Sequence, residues 1–204
     1  QGDSPVLELP DGEVVLIDGG ASYERFDMGR SVVAPYLWNR GIRTIDYVIA
    51  THPQLDHVGG LTYVLRHFNV RHVWGSGDAR RELFYQRLTE TLVQQGLTEH
   101  VVRAGRDTVM LGDCALKVLN PFAPPVQRQA SSRRLEGHRL NNRSVVTQVT
   151  CGTHKMLFAA DVEQEALSRM SQDEQSERVD VVKVPHHGAG SSLQPEWLDR
   201  INPA

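Results

Sequence analysis

Residues 51–60, THPQLDHVGG, constrain the fold of this chain more than any other stretch of its sequence. The apolar run YVIA at residues 47–50 precedes them, and its β-branched and aromatic side chains predict a short buried strand. After them, apolar residues recur at helical spacing over residues 61–68. The sequence therefore predicts a strand, a polar loop and the start of a helix.

Three side chains of this loop are candidate metal ligands. His52, Asp56 and His57 lie close enough in sequence for imidazole nitrogens and a carboxylate oxygen to be directed at one point. A helix N-terminus also stabilises a carboxylate. Two structural alternatives are that the histidines are solvated and that Asp56 caps the following helix. The clustering of ligands after a buried strand favours the metal site.

Apolar runs and amphipathic stretches alternate along the rest of the chain. Predicted strands lie at residues 6–9, 13–17, 45–50, 70–74, 100–103, 115–119, 145–151, 154–160 and 179–184, and predicted helices at residues 29–40, 61–67, 79–95 and 162–167. This alternation favours an α/β sandwich over an all-β fold or a helical bundle. With 204 residues, 40% of them hydrophobic, the chain can bury one substantial core, so we expect a single domain.

Further candidate ligands follow two later predicted strands. Asp161 stands at the far end of the hairpin predicted at residues 145–160, where it could also cap the next helix. His186 and His187 end the strand predicted at residues 179–184, and a glycine follows them. Adjacent histidines at the end of a buried strand are difficult to explain by packing, so they indicate a functional site.

Residues 121–142 lack a hydrophobic period, and most of them belong to an arginine-rich stretch at residues 127–143. The arginines of residues 127–143 are Arg128, Arg133, Arg134, Arg139 and Arg143. With Glu136 as the acidic residue, this stretch has a local net charge of +4, although the whole chain has −3. A solvated, mobile loop is one interpretation. Because guanidinium groups match phosphate oxygens, the stretch is also a candidate for binding a nucleic-acid backbone.

Cys114 and Cys151 are the two cysteines of the sequence. Both lie in apolar, strand-like surroundings, and two cysteines are too few for a disulfide framework. We therefore expect both to be core thiols.

A series of short motifs resembles the metallo-β-lactamase-like domain of the ComEC family of DNA-uptake (competence) proteins. The motifs are QGD, LIDGG, THPQLDHVGG, NNRSVV, FAADV and VDVVKVPHHGAGSS, in that order. The resemblance implies a metallo-β-lactamase-like αββα sandwich without a small-molecule cofactor. Proteins of this family are inner-membrane channels for transforming DNA. Their lactamase-like domain, on the extracytoplasmic (periplasmic) side, is implicated as a nuclease that degrades the non-transported strand.

The resemblance also implies a set of metal ligands. They are His52, Asp56, His57, Asp161 and one or both of His186 and His187. Gln54 and Asn141 stand where most hydrolases of this fold carry histidine, and amide oxygens are weak, neutral ligands. A tight position would use Asp56, His57, Asp161 and His187, and a loose one His52, Gln54, Asn141 and the shared Asp161. We expect one or two divalent ions, with manganese favoured over zinc or magnesium.

Catalytic roles follow from the same resemblance. Asp56 or Asp161 would orient the attacking water or accept its proton. Whichever of His186 and His187 is not a ligand, His186 in particular, would contact phosphate or protonate the leaving oxygen. Ser191 and Ser192 would contact phosphate of a DNA substrate, single-stranded in particular. Two other functions stay open: a hydrolase of small esters, thioesters or lactams, and a catalytically idle module that binds DNA or docks on the parent channel.

The ends of the sequence suggest a piece of a longer protein. It starts without methionine and stops just after a predicted helix, where related domains continue. It contains no apolar run of roughly 20 residues and no signal segment. We therefore expect residues 1–204 to be a soluble domain excised from a larger membrane protein and lacking its last segment.

Overall fold

The computed structural model describes residues 2–78, 83–122, 133–172, 178–190 and 192–203, except for the side chains of residues 133–136. The chain divides into two compact units, Gln1–Val101 (unit 1) and Val102–Ala204 (unit 2). The expectation of a single domain over residues 1–204 stays a prediction.

Unit 1 contains a five-stranded sheet. Its strands are β1 (Val6–Glu8), β2 (Val14–Ile17), β5 (Thr44–Ala50), β6 (Asn69–Gly75) and β7 (Glu99–Val101), and β3 (Ser22–Tyr23) and β4 (Phe26–Asp27) form a separate hairpin. The strand order is β1-β2-β5-β6-β7; β1 and β2 are antiparallel and the other neighbours are parallel. Parallel strands are usually covered on both faces, which explains why residues 45–50 are all buried.

The described helices of unit 1 cover this sheet with apolar side chains. They are α1 (Ala34–Asn39), which continues a π-helical turn at Gly29–Val33, α2 (Leu55–Val58), α3 (Leu61–His67) and α4 (Leu83–Gln94). Leu37, Leu61 and Leu88 from these helices are buried together with Leu16 and Val48 of the sheet. The helices predicted at residues 29–40 and 61–67 are therefore confirmed.

Unit 2 contains a second five-stranded sheet. Its strands are β8 (Thr108–Leu111), β9 (Cys114–Asn120), β10 (Val146–Cys151), β11 (His154–Phe158) and β12 (Val181–Lys183), in the order β12-β11-β10-β9-β8. Its described helices are α5 (Arg133–Asn141), α6 (Gln164–Gln172) and α7 (Pro195–Ile201). β11 and β12 are parallel, whereas the other neighbours are antiparallel. Leu157, Leu167 and Trp197 lie in its core.

The two cysteines form a disulfide bond, so the expectation of core thiols was wrong. Cys114 begins β9 and Cys151 ends β10, and the antiparallel register places these residues directly opposite each other. Their Cα atoms are 4.3 Å apart and their sulfur atoms are bonded. Each cysteine looked apolar in sequence, but only the pairing of two strands 37 residues apart brings the sulfur atoms together.

Two other elements differ from the expectations. Residues 133–141 form α5, where a mobile loop was one interpretation, and β8 is a strand that no predicted strand covered. The end of α5 is held by burial of Leu140 and Asn141, and Asn141 donates a hydrogen bond to Glu163 at 2.8 Å. Polar contacts with residues distant in sequence therefore stabilise this helix. Because these contacts do not require regularly spaced apolar residues, the sequence shows no hydrophobic period there.

Candidate metal-binding site

In unit 1, polar residues that follow two neighbouring parallel strands lie together at the C-terminal ends of these strands. β2 pairs with β5, so that Ile17 lies opposite Ile49 and both strands end at the same edge of the sheet. Asp18 follows β2, and its backbone N–H donates to the Ile49 carbonyl at 2.8 Å. Thr51 follows β5 and donates through its backbone N–H to Asp18 Oδ1 at 2.9 Å. The site begins at this edge.

Asp18 orients both histidines of the loop. Its Oδ2 lies 2.7 Å from Nδ1 of His57, and because a carboxylate only accepts, His57 carries its proton on Nδ1. The Thr51 hydroxyl donates to the same Oδ2 at 2.7 Å, so its oxygen accepts from Nδ1 of His52 at 2.9 Å. Nε2 is therefore the atom through which each imidazole would bind a metal, the usual carboxylate–histidine arrangement.

Burial and close backbone packing fix this arrangement. His52 and His57 are fully buried, and their ring centroids are 4.1 Å apart. Asp18 has a φ of 60°, a conformation that L residues other than glycine seldom adopt. A Cβ atom on Gly60 would lie 2.1 Å from the Gly19 carbonyl oxygen, so this turn accepts no side chain there. The glycines after Asp18 and in the VGG segment thus permit two loops to pack backbone against backbone.

Asp3, the last residue of the QGD motif, is a further candidate ligand. One carboxylate oxygen of Asp3 and one ring nitrogen of His57 lie within 4.8 Å of each other. The Asp3 carbonyl accepts a hydrogen bond from Gly20 N at 3.0 Å, which holds the residue beside the Asp18 loop. Its position in the QGD motif was the available signal.

The structure separates the roles of Gln54 and Asp56. Gln54 is the N-cap residue of α2 without a side-chain capping hydrogen bond, whereas Asp56 lies in the first turn. The side chain of Asp56 is 36% exposed, and its Oδ2 lies 4.0 Å from Nε2 of His57. Asp56 is thus not at the capping position and lies beside the nitrogen that Asp18 directs. A ligand role for either residue stays a prediction.

In unit 2, a second pair of strand ends brings together an aspartate and two histidines. Asp161 follows β11 and is 1% exposed, and the backbone N–H of His186 donates to the Ala160 carbonyl at 2.9 Å. Nε2 of His186 lies 3.9 Å, and Nε2 of His187 3.7 Å, from Asp161 Oδ2. Both histidines have positive φ angles, 49° and 52°, within the 3-10 turn Pro185–Gly188.

Glu163 links three polar side chains of unit 2, a role that no motif or spacing predicted. It is 6% exposed, and its Oε1 accepts from Asn141 Nδ2 at 2.8 Å and lies 3.5 Å from Nδ1 of His186. Its Oε2 contacts Nδ1 of His138. Since the lone pair of the Asn141 amide nitrogen is delocalised into the carbonyl group, any metal-ligand role of Asn141 falls to its oxygen.

The structure describes part of the predicted DNA-binding set. Arg128 and Ser191 lie outside the described residues, and so do the side chains of Arg133 and Arg134. Arg139 lies in α5 and Arg143 lies two residues after its end, and both are partly exposed. Ser192 is fully buried, with its Oγ 3.5 Å from Nδ1 of His186, which favours a role in orienting the histidine over contact with DNA.

The donors of both units suit a divalent metal ion. Imidazole nitrogens and carboxylate oxygens are ligands for manganese and zinc, and carboxylates also suit magnesium. Both cysteines are in the disulfide, so the ligand chemistry contains nitrogen and oxygen only. Across the described part of the chain, no helix is both long and apolar enough to cross a membrane.

Comparison with known proteins identifies the family. The sequence matches the model of the "Metallo-beta-lactamase superfamily" over residues 1–199. It is 26% identical over 215 residues to ComE operon protein 3 of Bacillus subtilis, covering 100% of this chain and 26% of that protein. It is 25% identical over 198 residues to Recombination protein 2 of Haemophilus influenzae, with coverages of 97% and 21%. The chain thus spans about a quarter or less of the length of these relatives.

Solved structures share the fold at lower sequence identity. The Cronobacter sakazakii metallo-β-lactamase HARLDQ motif mutant S60 matches with a TM-score of 0.57 and 15% identity, over 88% of this chain and 69% of that one. Zn(2+)-bound PqqB from Methylobacterium extorquens matches with a TM-score of 0.52 and 12% identity, over 88% and 58%. The predicted mixed α/β fold is confirmed. The chain therefore belongs to the metallo-β-lactamase superfamily, and the resemblance to the ComEC family that its motifs predicted is confirmed.

Proposed function

We propose that this chain is a metal-dependent nuclease domain that hydrolyses phosphodiester bonds of the non-transported DNA strand during natural transformation. The observation that carries the proposal is the arrangement around Asp18, whose carboxylate directs Nε2 of two buried histidines toward a ligand. Members of this superfamily are generally metal-dependent hydrolases. The names of the competence and recombination relatives support DNA as the substrate.

We infer that the chain binds one or two divalent metal ions. This inference rests on the family resemblance and on the imidazole and carboxylate groups of the candidate ligands. The ligands would be Asp3, His52, Asp56, His57, Asp161 and His187, with Gln54 and Asn141 as weaker amide ligands, and His186 would act as the acid. Manganese is favoured because the set mixes imidazoles with several oxygens. When bound, the ion would supply charge neutralisation at the phosphate.

The chain's own side chains would move the protons. Asp56 is more exposed than Asp18, Asp161 or Glu163, so it can reach the attacking water and accept its proton. His186 would donate a proton to the leaving oxygen, since its side chain is 31% exposed and Glu163 faces its Nδ1. Asp161 is almost fully buried, and it would hold the two histidines of the Pro185–Gly188 turn and act as a ligand.

Arg139 and Arg143 would contact the DNA backbone. Contacts of guanidinium groups with phosphates are independent of sequence and weaken as salt displaces them. We also propose that the domain acts on the extracytoplasmic side of the inner membrane, next to the channel portion of a longer protein. The Cys114–Cys151 disulfide supports this location, because such bonds persist in oxidising compartments.

Cleavage of labelled single-stranded DNA in the presence of manganese tests the proposal. The wild-type protein should cleave, and Asp56→Ala should cleave at least about a hundredfold more slowly, as expected for loss of a general base. Asp11→Asn, an exposed turn residue, is the matched control and should retain activity. If neither the wild type nor the control cleaves single-stranded DNA with manganese, magnesium or zinc, the chain is not a nuclease.

A catalytically idle, DNA-binding module is the second candidate. It is favoured by Gln54 and Asn141 and by the hydrogen bond that engages the Asn141 amide with Glu163. Gln54→His restores an imidazole at the first of these positions. If the site is a weakened enzyme, the substitution should raise turnover; an unchanged absence of cleavage, with intact DNA binding, supports the idle module.

A further inference from the structure

A cavity in unit 2 includes His138, a member of the polar network around Glu163, in its lining. Its volume is about 330 Å³, and its lining includes Phe122, His138, Arg139, Arg143, Glu165 and Arg169. This volume lies at the lower end of the range in which proteins hold small ligands. Every one of these residues belongs to unit 2.

Hydrogen bonds of two asparagines hold the walls of the cavity in place. Asn120 Nδ2, at the end of β9, donates to the carbonyls of Asn142 at 3.1 Å and Ser144 at 2.7 Å. Asn142 Oδ1 accepts from the backbone N–H groups of Glu163 at 3.1 Å and Ala166 at 3.0 Å, at the start of α6. Strand β9, the end of α5 and the start of α6 are thus tied together, so the cavity is formed without a ligand.

The lining combines positive charge with a flat aromatic surface. Three arginines and one glutamate give these side chains a formal net charge of +2, with His138 neutral. The guanidinium carbon of Arg169 lies 4.6 Å from the ring centroid of Phe122, which is a cation–π geometry. A guanidinium held over a ring presents a planar, charged face on which a nucleobase can stack.

We propose that this cavity binds one unstacked nucleotide of single-stranded DNA. The base would stack on the Phe122–Arg169 pair, and the phosphate would contact Arg139 and Arg143. In a duplex the faces of the bases are covered by their neighbours, so the cavity would select single strands. The proposal rests on the nuclease function above and specifies its substrate.

Contacts within unit 2 connect the cavity to the candidate site. His138 lines the cavity, and its Nδ1 contacts Oε2 of Glu163. The other oxygen of Glu163 lies 3.5 Å from Nδ1 of His186, the proposed proton donor. A nucleotide in the cavity would therefore be connected to His186 through the side chains of His138 and Glu163.

Binding without catalysis tests the proposal on the intact chain. Fluorescence anisotropy with a labelled oligothymidylate, in EDTA to prevent cleavage, gives the dissociation constant. Arg169→Ala should weaken binding about tenfold, since loss of one stacked base has an effect of this size or larger. Arg169 is exposed, so its removal should leave folding intact, and the equally exposed Arg178→Ala should bind as the wild type does.

An abasic oligonucleotide separates stacking from phosphate contact. Phe122→Ala should weaken binding of oligothymidylate but not of the abasic strand, which has phosphates and no bases. Glu165→Gln removes a negative charge from the lining and should strengthen binding of both strands about twofold to threefold, more so at low salt. Because Phe122 packs against the core, thermal melting would be used to confirm that Phe122→Ala is folded.

The outcomes separate this proposal from the nuclease function. If Arg169→Ala and Arg178→Ala bind alike, or if the wild type does not bind the oligonucleotide, the cavity is not a nucleotide site. If Arg169→Ala loses binding and no variant cleaves DNA with a metal ion, the cavity proposal stands and the nuclease proposal fails. If the wild type cleaves DNA and the Michaelis constants of Arg169→Ala and Arg178→Ala are equal, the cavity proposal is wrong and the nuclease proposal stands.

Discussion

The two units present similar side chains with very different constraints. In unit 1, His52 and His57 are fully buried, and hydrogen bonds of 2.7–2.9 Å fix both rings through Asp18. In unit 2, the side chains of His186 and His187 are 31% and 38% exposed and lie 3.5–3.9 Å from their carboxylate neighbours. The first histidine pair is preorganised, whereas the second is more loosely held.

The difference arises from what surrounds each loop. The loops of unit 1 meet through glycines whose backbones are in contact, so side chains have one available arrangement. The histidine turn of unit 2 is held by a polar network around Glu163, in a unit where a disulfide joins the neighbouring strands β9 and β10. We therefore expect substitutions in unit 1 to affect folding and metal binding together, and those in unit 2 to separate the two.

The largest effect is expected at Gly60. In Gly60→Ala the new Cβ would lie 2.1 Å from the Gly19 carbonyl oxygen and 2.5 Å from Gly29 N, so backbone must move. The free energy of unfolding should fall by about 3 kcal/mol or more, measured by urea denaturation. The matched change in unit 2 is Gly137→Ala in α5, where nothing lies within 4 Å of the new Cβ. That variant should gain about 0.5–1 kcal/mol, and equal losses in both would remove the contrast.

The disulfide should contribute to the stability of unit 2. It closes a loop with a sequence separation of 37 residues. Replacing both cysteines by alanine should lower the free energy of unfolding by about 3–4 kcal/mol, according to the loop-entropy relation. Hydrogen exchange should show lost protection in β9 and β10 and unchanged protection in β2 and β5. Uniform loss in both sheets would mean that the units do not unfold separately.

Asp18→Asn should uncouple the histidines of unit 1 from their support. An amide has one acceptor oxygen and cannot accept from the Thr51 backbone, the Thr51 hydroxyl and His57 Nδ1 as the carboxylate does. Manganese affinity, measured by calorimetry, should fall about a hundredfold, at the upper end for residues that orient metal ligands. The NMR chemical shifts of the His52 and His57 ring nitrogens should also change, because the protonation of these nitrogens changes. Wild-type affinity and unchanged nitrogen shifts would show that Asp18 is only structural.

Glu163→Gln should have the smallest effect, because the turn that it contacts is already loose. The glutamine can still accept from Asn141, but it loses the charge that faces His138 and His186. Manganese affinity should fall about tenfold. Glu196→Gln, on an exposed position of α7, is the control and should show no change. A larger loss than in Asp18→Asn would reverse the order of preorganisation between the units.

Much of the fold and the candidate site could be predicted from local patterns. The strand at residues 45–50 and the loop with His52, Asp56 and His57 followed from an apolar run and a cluster of polar residues, and the structure places them there. Asp161 and the two histidines of the PHHG turn likewise follow strands, as predicted. Such features depend on residues close in sequence, so periodicity detects them.

Pairings between distant residues were beyond this reasoning. Asp18 is 39 residues from His57, and Glu163 is 22 residues from Asn141. Each contact forms only when separate strands or helices pack at one edge of a sheet. The same reason explains why the cysteines were taken for thiols and why α5, held by polar contacts, was taken for a loop.

The sequence by itself determined the chemistry available to this protein, namely imidazoles, carboxylates and amides after strands, and the family to which it belongs. The tertiary structure decided which nitrogen of each unit 1 histidine is directed toward a ligand, which carboxylates orient the rings and which residues line the cavity in unit 2. The physical reason is that residue type fixes what a side chain can donate or accept. Its partner is set by backbone segments that meet only in the folded chain.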